Sequence, residues 1–254
     1  MMARLMILMG LGLMACGPSA KTLEQNKKDA RYHYDLAYGY YVKGHKGHLA
    51  LREVTISLQM NEEDADAQQL AGLIYLGRKR YLTAIKHFKA ALKIRPNFYF
   101  ASNNLGVTYL SLERWDDAIK IFEALVENGL YTQVGHAYNN LGWARYKKGE
   151  LREARVAFDQ AMAASPDLCP PYNNQGLVLF ERARYSSALK VLNRGIKRCP
   201  NYAEAYFQRG RVLLKLGQMS DARASFARCA TLVDDTPLGD RCADRVRLLS
   251  QGSR

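Results

Sequence analysis

Small and large apolar residues recur along this chain with a period of about 34 residues. Glycines recur at steps of 34, 36, 34 and 34 residues, at Gly72, Gly106, Gly142, Gly176 and Gly210. An alanine follows each glycine by twelve residues, at Ala84, Ala118, Ala154, Ala188 and Ala222. A large apolar residue follows each alanine by four residues, at Phe88, Phe122, Phe158, Leu192 and Phe226. The pattern predicts pairs of antiparallel α-helices, A and B, that cross closely at the small residues. Proline, which cannot continue a helical hydrogen-bond ladder, ends three of the units.

This spacing resembles the tetratricopeptide repeat, whose period is 34 residues. A degenerate first unit carries Ala37, Tyr38, Tyr41, Ala50 and Val54 at the corresponding positions, which gives six repeats. No repeat can bury its apolar face alone, so the repeats stack. The resemblance implies an all-α fold, a right-handed superhelix of six tetratricopeptide repeats with a concave and a convex side and a C-terminal capping helix.

The predicted repeats occupy residues 31–236. Their bounds are about 31–64, 65–98, 99–134, 135–168, 169–202 and 203–236. Residues 237–254 are predicted to form the capping helix and a tail, because Cys242, Val246 and Leu249 share one side of a helix.

The N-terminal residues have the pattern of an export signal. One basic residue, Arg4, precedes an apolar run from Leu5 to Met14 that is too short to span a bilayer. The run ends in Met-Ala-Cys, which resembles the lipobox of bacterial lipoproteins, although Met14 replaces the usual small residue. The resemblance implies a signal peptide at 1–15, a covalent lipid on Cys16 and a tether at 16–30. Gly17, where inner-membrane lipoproteins carry aspartate, implies the outer membrane. An ordinary signal peptide with an incidental Cys16 is the alternative.

Paired asparagines occupy the same part of helix A in three successive repeats. They are Asn103, Asn104, Asn139, Asn140, Asn173 and Asn174. Asparagine is an indifferent helix former, so its recurrence suggests another role. An amide offers both a donor and an acceptor, and amides one repeat apart could hold the main chain of an extended peptide in the concave groove. The alternative is that the amides bond to the neighbouring helix or to water.

Apolar side chains accompany these asparagines on helix A. The candidate partner-binding residues among them are Trp143, Tyr146, Phe100, Leu70 and Leu73. A mixture of aromatic and amide groups is typical of peptide-binding surfaces. Some of these apolar residues are expected to belong to the core instead.

Four cysteines follow Cys16, an even number that suggests two disulfides in an oxidising compartment. In the repeat register, Cys169 opens helix A of repeat five and Cys199 closes its helix B, so the two lie at adjacent ends. Cys229 lies on the face of repeat six that the capping helix covers, and Cys242 belongs to that helix. The register therefore favours Cys169–Cys199 and Cys229–Cys242. Four reduced, buried thiols are the alternative.

The formal net charge of +13 could attract anionic lipid, nucleic acid or an acidic partner. The alternative is that these Lys and Arg side chains are simply solvated on the outer helical faces. The densest loop cluster of cations comprises Lys43, Lys46, Arg78, Lys79 and Arg80. The chain lacks the motifs of a nucleophile elbow, a phosphate loop or a dinucleotide site. We therefore predict no enzyme activity, catalytic residue, metal site, cofactor other than the lipid, or small-molecule substrate. We also expect no nucleic-acid partner, because an exported protein rarely meets nucleic acid.

Together these features resemble the PilF/PilW family of type IV pilus pilotin lipoproteins. The resemblance rests on the lipobox, the short tether, the six repeats and the NNLG sequence in helix A. It implies an outer-membrane lipoprotein that faces the periplasm and promotes insertion and multimerisation of the PilQ secretin, as pilus assembly and twitching or social gliding motility require. The alternative is a general periplasmic scaffold of an outer-membrane protein insertion machine or a peptidoglycan machine.

Overall fold

The computed structural model describes residues 20–44 and 46–251. Within them the chain forms α1 (Ala20–Val42), α2 (Gly47–Met60), α3 (Ala65–Gly77), α4 (Tyr81–Ile94), α5 (Tyr99–Ser111), α6 (Trp115–Val126), α7 (Val134–Lys148), α8 (Leu151–Ala164), α9 (Pro170–Glu181), α10 (Tyr185–Arg198), α11 (Ala203–Lys215), α12 (Met219–Leu232) and α13 (Pro237–Gln251). The first twelve helices form six packed pairs, and α13 packs on α12. The predicted fold class, six helix pairs with a C-terminal capping helix, is confirmed.

The two helices of a pair meet where the periodic glycine faces the periodic large residue. A Cβ atom built on Gly142 would lie 2.7 Å from Cε1 of Phe158, which is closer than real side chains approach. Phe158 is fully buried. The same relationship holds for Gly72 with Phe88, Gly106 with Phe122, Gly176 with Leu192 and Gly210 with Phe226. Glycine is required at these positions because the large side chain lies directly against the backbone of the odd-numbered helix.

The turn inside each pair contains a residue in the left-handed backbone conformation. It is a glycine in three repeats, Gly44, Gly149 and Gly217, with φ between 72° and 89°. In three others it is Lys79, Glu113 or Ala183, with φ between 54° and 58°. A side chain in this conformation costs roughly 1–2 kcal/mol relative to glycine. Because the turns share one conformation, the pairs have similar geometry and stack in register.

The first helix extends into the region predicted to be a tether. The prediction placed residues 16–30 outside the fold, but α1 begins at Ala20. Its first turns are stabilised by pairs four residues apart: Lys28 lies 3.0 Å from Glu24, and Gln25 donates to Asp29 at 2.9 Å. Such pairs each stabilise a helix by about 0.2–0.5 kcal/mol. The signal peptide and Cys16 lie outside the described residues.

A buried carboxylate joins α1 to α2. Glu53 is 3% exposed, and its Oε2 lies 2.7 Å from Nδ1 of His33. Arg52 donates to the other oxygen from Nε at 2.9 Å and from Nη2 at 2.6 Å. The hydrogen bonds from His33 and Arg52 lower the pKa of Glu53, although burial alone would raise it. The ionised carboxylate of Glu53 in α2 therefore attaches α1 to α2 through its hydrogen bond from His33.

Two disulfides lie in the C-terminal part of the stack. Cys169 is bonded to Cys199, with their Cα atoms 5.9 Å apart, and Cys229 is bonded to Cys242, with Cα atoms 6.0 Å apart. These are the two pairs that the repeat register favours. The first closes repeat five at the ends of its two helices, and the second attaches α13 to α12.

Candidate functional site

The odd-numbered helices form the inner layer of the curved stack. Each of them from α1 to α11 packs against the next odd-numbered helix, as well as against its partner in the pair. Among residues 20–44 and 46–251, successive even-numbered helices do not pack on one another to a comparable extent. Helices that lie closer together are on the inside of a curve. We therefore call the surface lined by α1, α3, α5, α7, α9 and α11 the concave face.

Five of the six predicted asparagines form a continuous chain of hydrogen bonds, which we call the amide ladder. Asn173 donates to Oδ1 of Asn174 at 3.3 Å, and Asn174 donates to Oδ1 of Asn139 at 3.1 Å. Asn139 in turn donates to Asn140 at 3.5 Å, and Asn140 donates to Oδ1 of Asn103 at 3.4 Å. The ladder thus connects α9, α7 and α5. The amides bond to the neighbouring helix, as the alternative to a peptide clamp expects.

The amide ladder keeps hydrogen-bonding capacity for a partner. A primary amide has two donor hydrogens and an oxygen that can accept twice, and each ladder residue uses one or two of these. Oδ1 of Asn173 is buried without a partner among the described residues. The side chain of Asn104, which is half-buried, makes no hydrogen bond to another described residue. Because Oδ1 of Asn173 is buried, the side chain of Asn104, next to the ladder, is the amide with the most free capacity for a partner.

Aromatic side chains lie beside the ladder on α7. Trp143 and Tyr146 are half-buried, with ring centroids 5.3 Å apart, and Nζ of Lys147 lies 5.3 Å from the indole centroid. Both rings also pack on the core around Phe158. Tyr146 donates its hydroxyl hydrogen to Glu181. Burial, and then this bond to a carboxylate, raise the pKa of Tyr146, so the phenol stays protonated and acts as a donor.

The concave face becomes cationic towards its C-terminal end. The guanidinium of Arg211 lies 4.4 Å from the ring centroid of Phe180, and that of Arg241 lies 4.6 Å from the centroid of Phe207. Burial, and then the nearby positive charge of Arg241, lower the pKa of Arg211. Arginines stacked on aromatic rings present planar donors that suit carboxylates. This end can therefore pair with an acidic group of a bound chain.

The remaining predicted apolar residues divide between groove and core. Phe100 is 46% exposed and lies edge-on to Tyr131, with centroids 6.4 Å apart. Leu73 is partly buried against the central core. Leu70 is only 3% exposed and packs with Ala37 and other core residues, so its assignment to the partner-binding surface is wrong. The cause is its direction, because Leu70 faces the first repeat rather than the concave side.

Sequence reasoning missed Glu181, Arg211 and Arg241. The repeat register contained a signal for Arg211, which follows Gly210 by one residue just as Trp143 follows Gly142. Glu181 likewise occupies the position of Lys147, five residues after the glycine. Arg241 lies in α13, outside the repeats, and the periodic pattern carried no signal for it.

Two further kinds of site are absent from residues 20–44 and 46–251. No group of three or more His, Cys, Asp or Glu side chains there could hold a metal ion. None of the helices described is long and apolar enough to cross a membrane.

Two solved structures similar to this chain extend over almost all of it. The structure of PilF from Pseudomonas aeruginosa has a TM-score of 0.71 and 14% identity, and covers 91% of this chain and 100% of its own. The structure of PilW, a widely conserved type IV pilus biogenesis factor, has a TM-score of 0.74 and 19% identity, and covers 84% of this chain and 97% of its own. MamA from Desulfovibrio magneticus RS-1 is similar over 68% of this chain, with a TM-score of 0.62 and 20% identity. At these identities the similarity shows a shared fold.

Curated relatives match shorter stretches of the chain. One is the small glutamine-rich tetratricopeptide repeat-containing protein 2 of Saccharomyces cerevisiae, 24% identical over 113 residues, which are 42% of this chain. Another is the chloroplastic tetratricopeptide repeat domain-containing protein PYG7 of Arabidopsis thaliana, 33% identical over 132 residues, or 47% of this chain. The matched regions span only 32% and 42% of these two proteins.

Family models give the same classification along most of the chain. Models described as tetratricopeptide repeats match residues 34–97, 98–167 and 203–232, and a further TPR repeat model matches 176–217. Together they cover the region from α1 to α12 in which glycine faces a large apolar residue. The chain belongs to the tetratricopeptide-repeat family.

Proposed function

We propose that this protein is an assembly factor of the type IV pilus, an outer-membrane lipoprotein on the periplasmic side that binds the PilQ secretin and promotes its insertion and multimerisation. The observation that carries the proposal is the extent of the shared fold. The superhelix spans all of the PilF chain and 97% of the PilW chain, which is described as a pilus biogenesis factor. The lipobox-like sequence ending in Cys16 supports the membrane anchor.

The concave face is the proposed surface for the secretin. An extended segment of the partner would lie along the amide ladder, with its main chain bonded to the amide of Asn104 and to the unused donors of the ladder. Its apolar side chains would contact Phe100 and Trp143. An acidic side chain further along would pair with Arg211. In this mode the protein binds and positions its partner and performs no chemical reaction.

Secretin assembly in cells tests the proposal directly. Deletion of the gene should remove pili and leave the secretin as monomers on a gel that preserves multimers. The wild-type gene should restore both. A strain that keeps normal secretin multimers but has general envelope defects would instead favour the scaffold of another envelope machine. A photo-crosslinking amino acid at position 143, followed by mass spectrometry, should capture a secretin segment.

The membrane anchor has its own test. The variant Cys16→Ala should fold normally, because the repeats bury their own core, but it should no longer sediment with outer membranes. Lipid chains contribute about 0.8 kcal/mol per buried methylene, so their loss removes stable attachment. Secretin multimers should become scarce although the concave face is unchanged. Retention of the variant in membranes after a high-salt wash would overturn the lipoprotein assignment.

A further inference from the structure

A second candidate site, separate from the amide ladder, lies at the junction of repeats four and five. It is a pocket of about 420 Å³, lined by Arg145, Arg152, Glu153, Arg155, Val156, Arg182 and Arg184. The end of α7, the first turns of α8 and the turn between α9 and α10 supply these residues. Three rigid elements thus bring five guanidinium groups to one pocket. We call it the arginine pocket.

The positive charges that line the arginine pocket are not balanced by acidic side chains within the pocket. Glu153 is its single carboxylate among the lining residues. Two arginines have partners outside the lining: Arg145 donates to Glu123 at 2.6 Å, and Arg155 donates to Asp159 at 3.2 Å.

The other three arginines, Arg152, Arg182 and Arg184, form no side-chain hydrogen bond or ion pair with another residue of the described parts of the chain. Nε of Arg145 is buried and lacks an acceptor within the same residues. A buried donor without an acceptor destabilises the fold, and gathered like charges repel one another. An anion in the pocket would offset the repulsion among the arginines.

We propose that the arginine pocket binds a phosphate group. A phosphate carries about −1.5 to −2 charges at neutral pH and three strong acceptor oxygens on one atom. A carboxylate carries a single charge and two oxygens, so several acidic side chains would have to enter one pocket to give the same balance. Guanidinium groups bind phosphate through paired hydrogen bonds of fixed geometry. The phosphate can be borne by a phospholipid headgroup or be a soluble inorganic ion.

The test measures binding of two probes to the full-length protein purified in a maltoside detergent. Isothermal titration with inorganic phosphate reports the soluble source. Titration with detergent micelles that contain phosphatidylglycerol reports the lipid source. Binding of either probe supports the proposal, and the tighter of the two identifies the source. The combined variant Arg152→Gln, Arg182→Gln and Arg184→Gln should bind the preferred probe about tenfold more weakly or worse, since charge-assisted hydrogen bonds are lost.

A matched control separates the pocket from the overall charge. Replacement of Lys120, Lys190 and Arg223 by Gln removes the same charge from exposed positions outside the pocket, and should leave the affinity within about twofold of wild type. Circular dichroism and the melting temperature verify that both triple variants are folded. The proposal is overturned if neither probe binds, if both variants weaken binding equally, or if an oligo-aspartate peptide binds more tightly than either phosphate probe. The last result would assign the pocket to an acidic protein partner.

Discussion

Asn174 donates a hydrogen bond from Nδ2 to Oδ1 of Asn139 across 3.1 Å, and this bond joins α9 to α7. A side chain on the concave face therefore also contributes to the packing of successive repeats. The same asparagine can stabilise the stack and contact a partner. Variants of the ladder must be chosen so that these two effects are measured separately.

Asn104 offers this separation, because its side chain makes no hydrogen bond to the rest of the described chain. The variant Asn104→Ala should leave the free energy of unfolding nearly unchanged and weaken partner binding about fivefold, since one net hydrogen bond contributes about 1 kcal/mol. The double variant Asn140→Ala and Asn174→Ala should also lower the free energy of unfolding, by about 1–3 kcal/mol. Urea denaturation and titration with the partner segment measure the two effects. If a triple variant with Asn104, Asn140 and Asn174 replaced by Ala still supports normal secretin assembly at a normal protein level, the peptide clamp is ruled out.

Gly142 and Gly39 should respond to alanine in opposite ways. Both lie within helices, where alanine is favoured over glycine by about 1 kcal/mol. A Cβ atom at Gly142 would overlap Phe158, whereas one at Gly39 would meet no atom within 4 Å. Overpacking costs about 1–3 kcal/mol, so Gly142→Ala should destabilise the protein while Gly39→Ala stabilises it slightly. Equal shifts of the urea midpoint in the two variants would show that the close approach at Gly142 relaxes freely.

Protonation of Glu53 should weaken the fold in acid. Its pKa is below the ordinary value of 4.5 in the folded protein, so below that pH the unfolded chain binds more protons. The contribution of Glu53 is complete above pH 4.5 and is lost as the pH falls through the lower, folded-state pKa. The variant Glu53→Gln should therefore be less stable than wild type at neutral pH, by about 2 kcal/mol, because bonds to a charged group are lost.

The difference between wild type and Glu53→Gln should shrink as the pH falls below 4.5 and through the lower, folded-state pKa of Glu53, where the carboxylate of wild type becomes protonated. Denaturant curves at several pH values measure it. Glu63→Gln, at an exposed position, serves as the control and should show little difference at any pH. A constant difference for Glu53→Gln across the series would mean that the carboxylate acts only through packing.

The two disulfides should contribute unequally to stability. Cys169 and Cys199 are separated by 30 residues, and Cys229 and Cys242 by 13. In the chain-entropy model, loss of the longer loop costs about 3.5 kcal/mol and loss of the shorter about 3 kcal/mol. Each pair is replaced by alanine, and urea denaturation with and without reductant compares the variants with wild type. Peptide mapping, without reductant, of the protein purified from cells should recover both pairs. Four alkylatable thiols, or a link between Cys199 and Cys229, would contradict the pairing.

The fold could be predicted from sequence because its determinants are local and steric. Each glycine and the Phe or Leu sixteen residues later belong to one helix pair. The sequence of a single repeat therefore contains both residues that determine how its two helices pack. The start of α1 was missed, because the residues before 31 lack this glycine and large apolar pattern. That part of the helix is stabilised by surface pairs such as Lys28 with Glu24.

The candidate site could be predicted only in part, because it depends on contacts between repeats. The recurrence of asparagine placed these amides at equivalent positions of three helices, but the group to which each amide bonds depends on the side-chain rotamers of the neighbouring repeat. The burial of Leu70 and the stacking of Arg241 on Phe207 likewise depend on how neighbouring helices are oriented. No periodic pattern within one repeat contains that information.

The position of the disulfides makes the two ends of the stack mechanically different. Repeats interact mainly with their neighbours, so a load applied at one end is resisted by one interface at a time. Tension on the N-terminal end would first separate α1 from α2, where the Glu53 pair and apolar packing are the resisting contacts. Repeat five would detach only as a closed unit, and α13 would stay attached to α12, because the disulfides within them cannot be pulled apart without reduction. The protein would thus lengthen under load at its N-terminal end while its C-terminal end kept its shape.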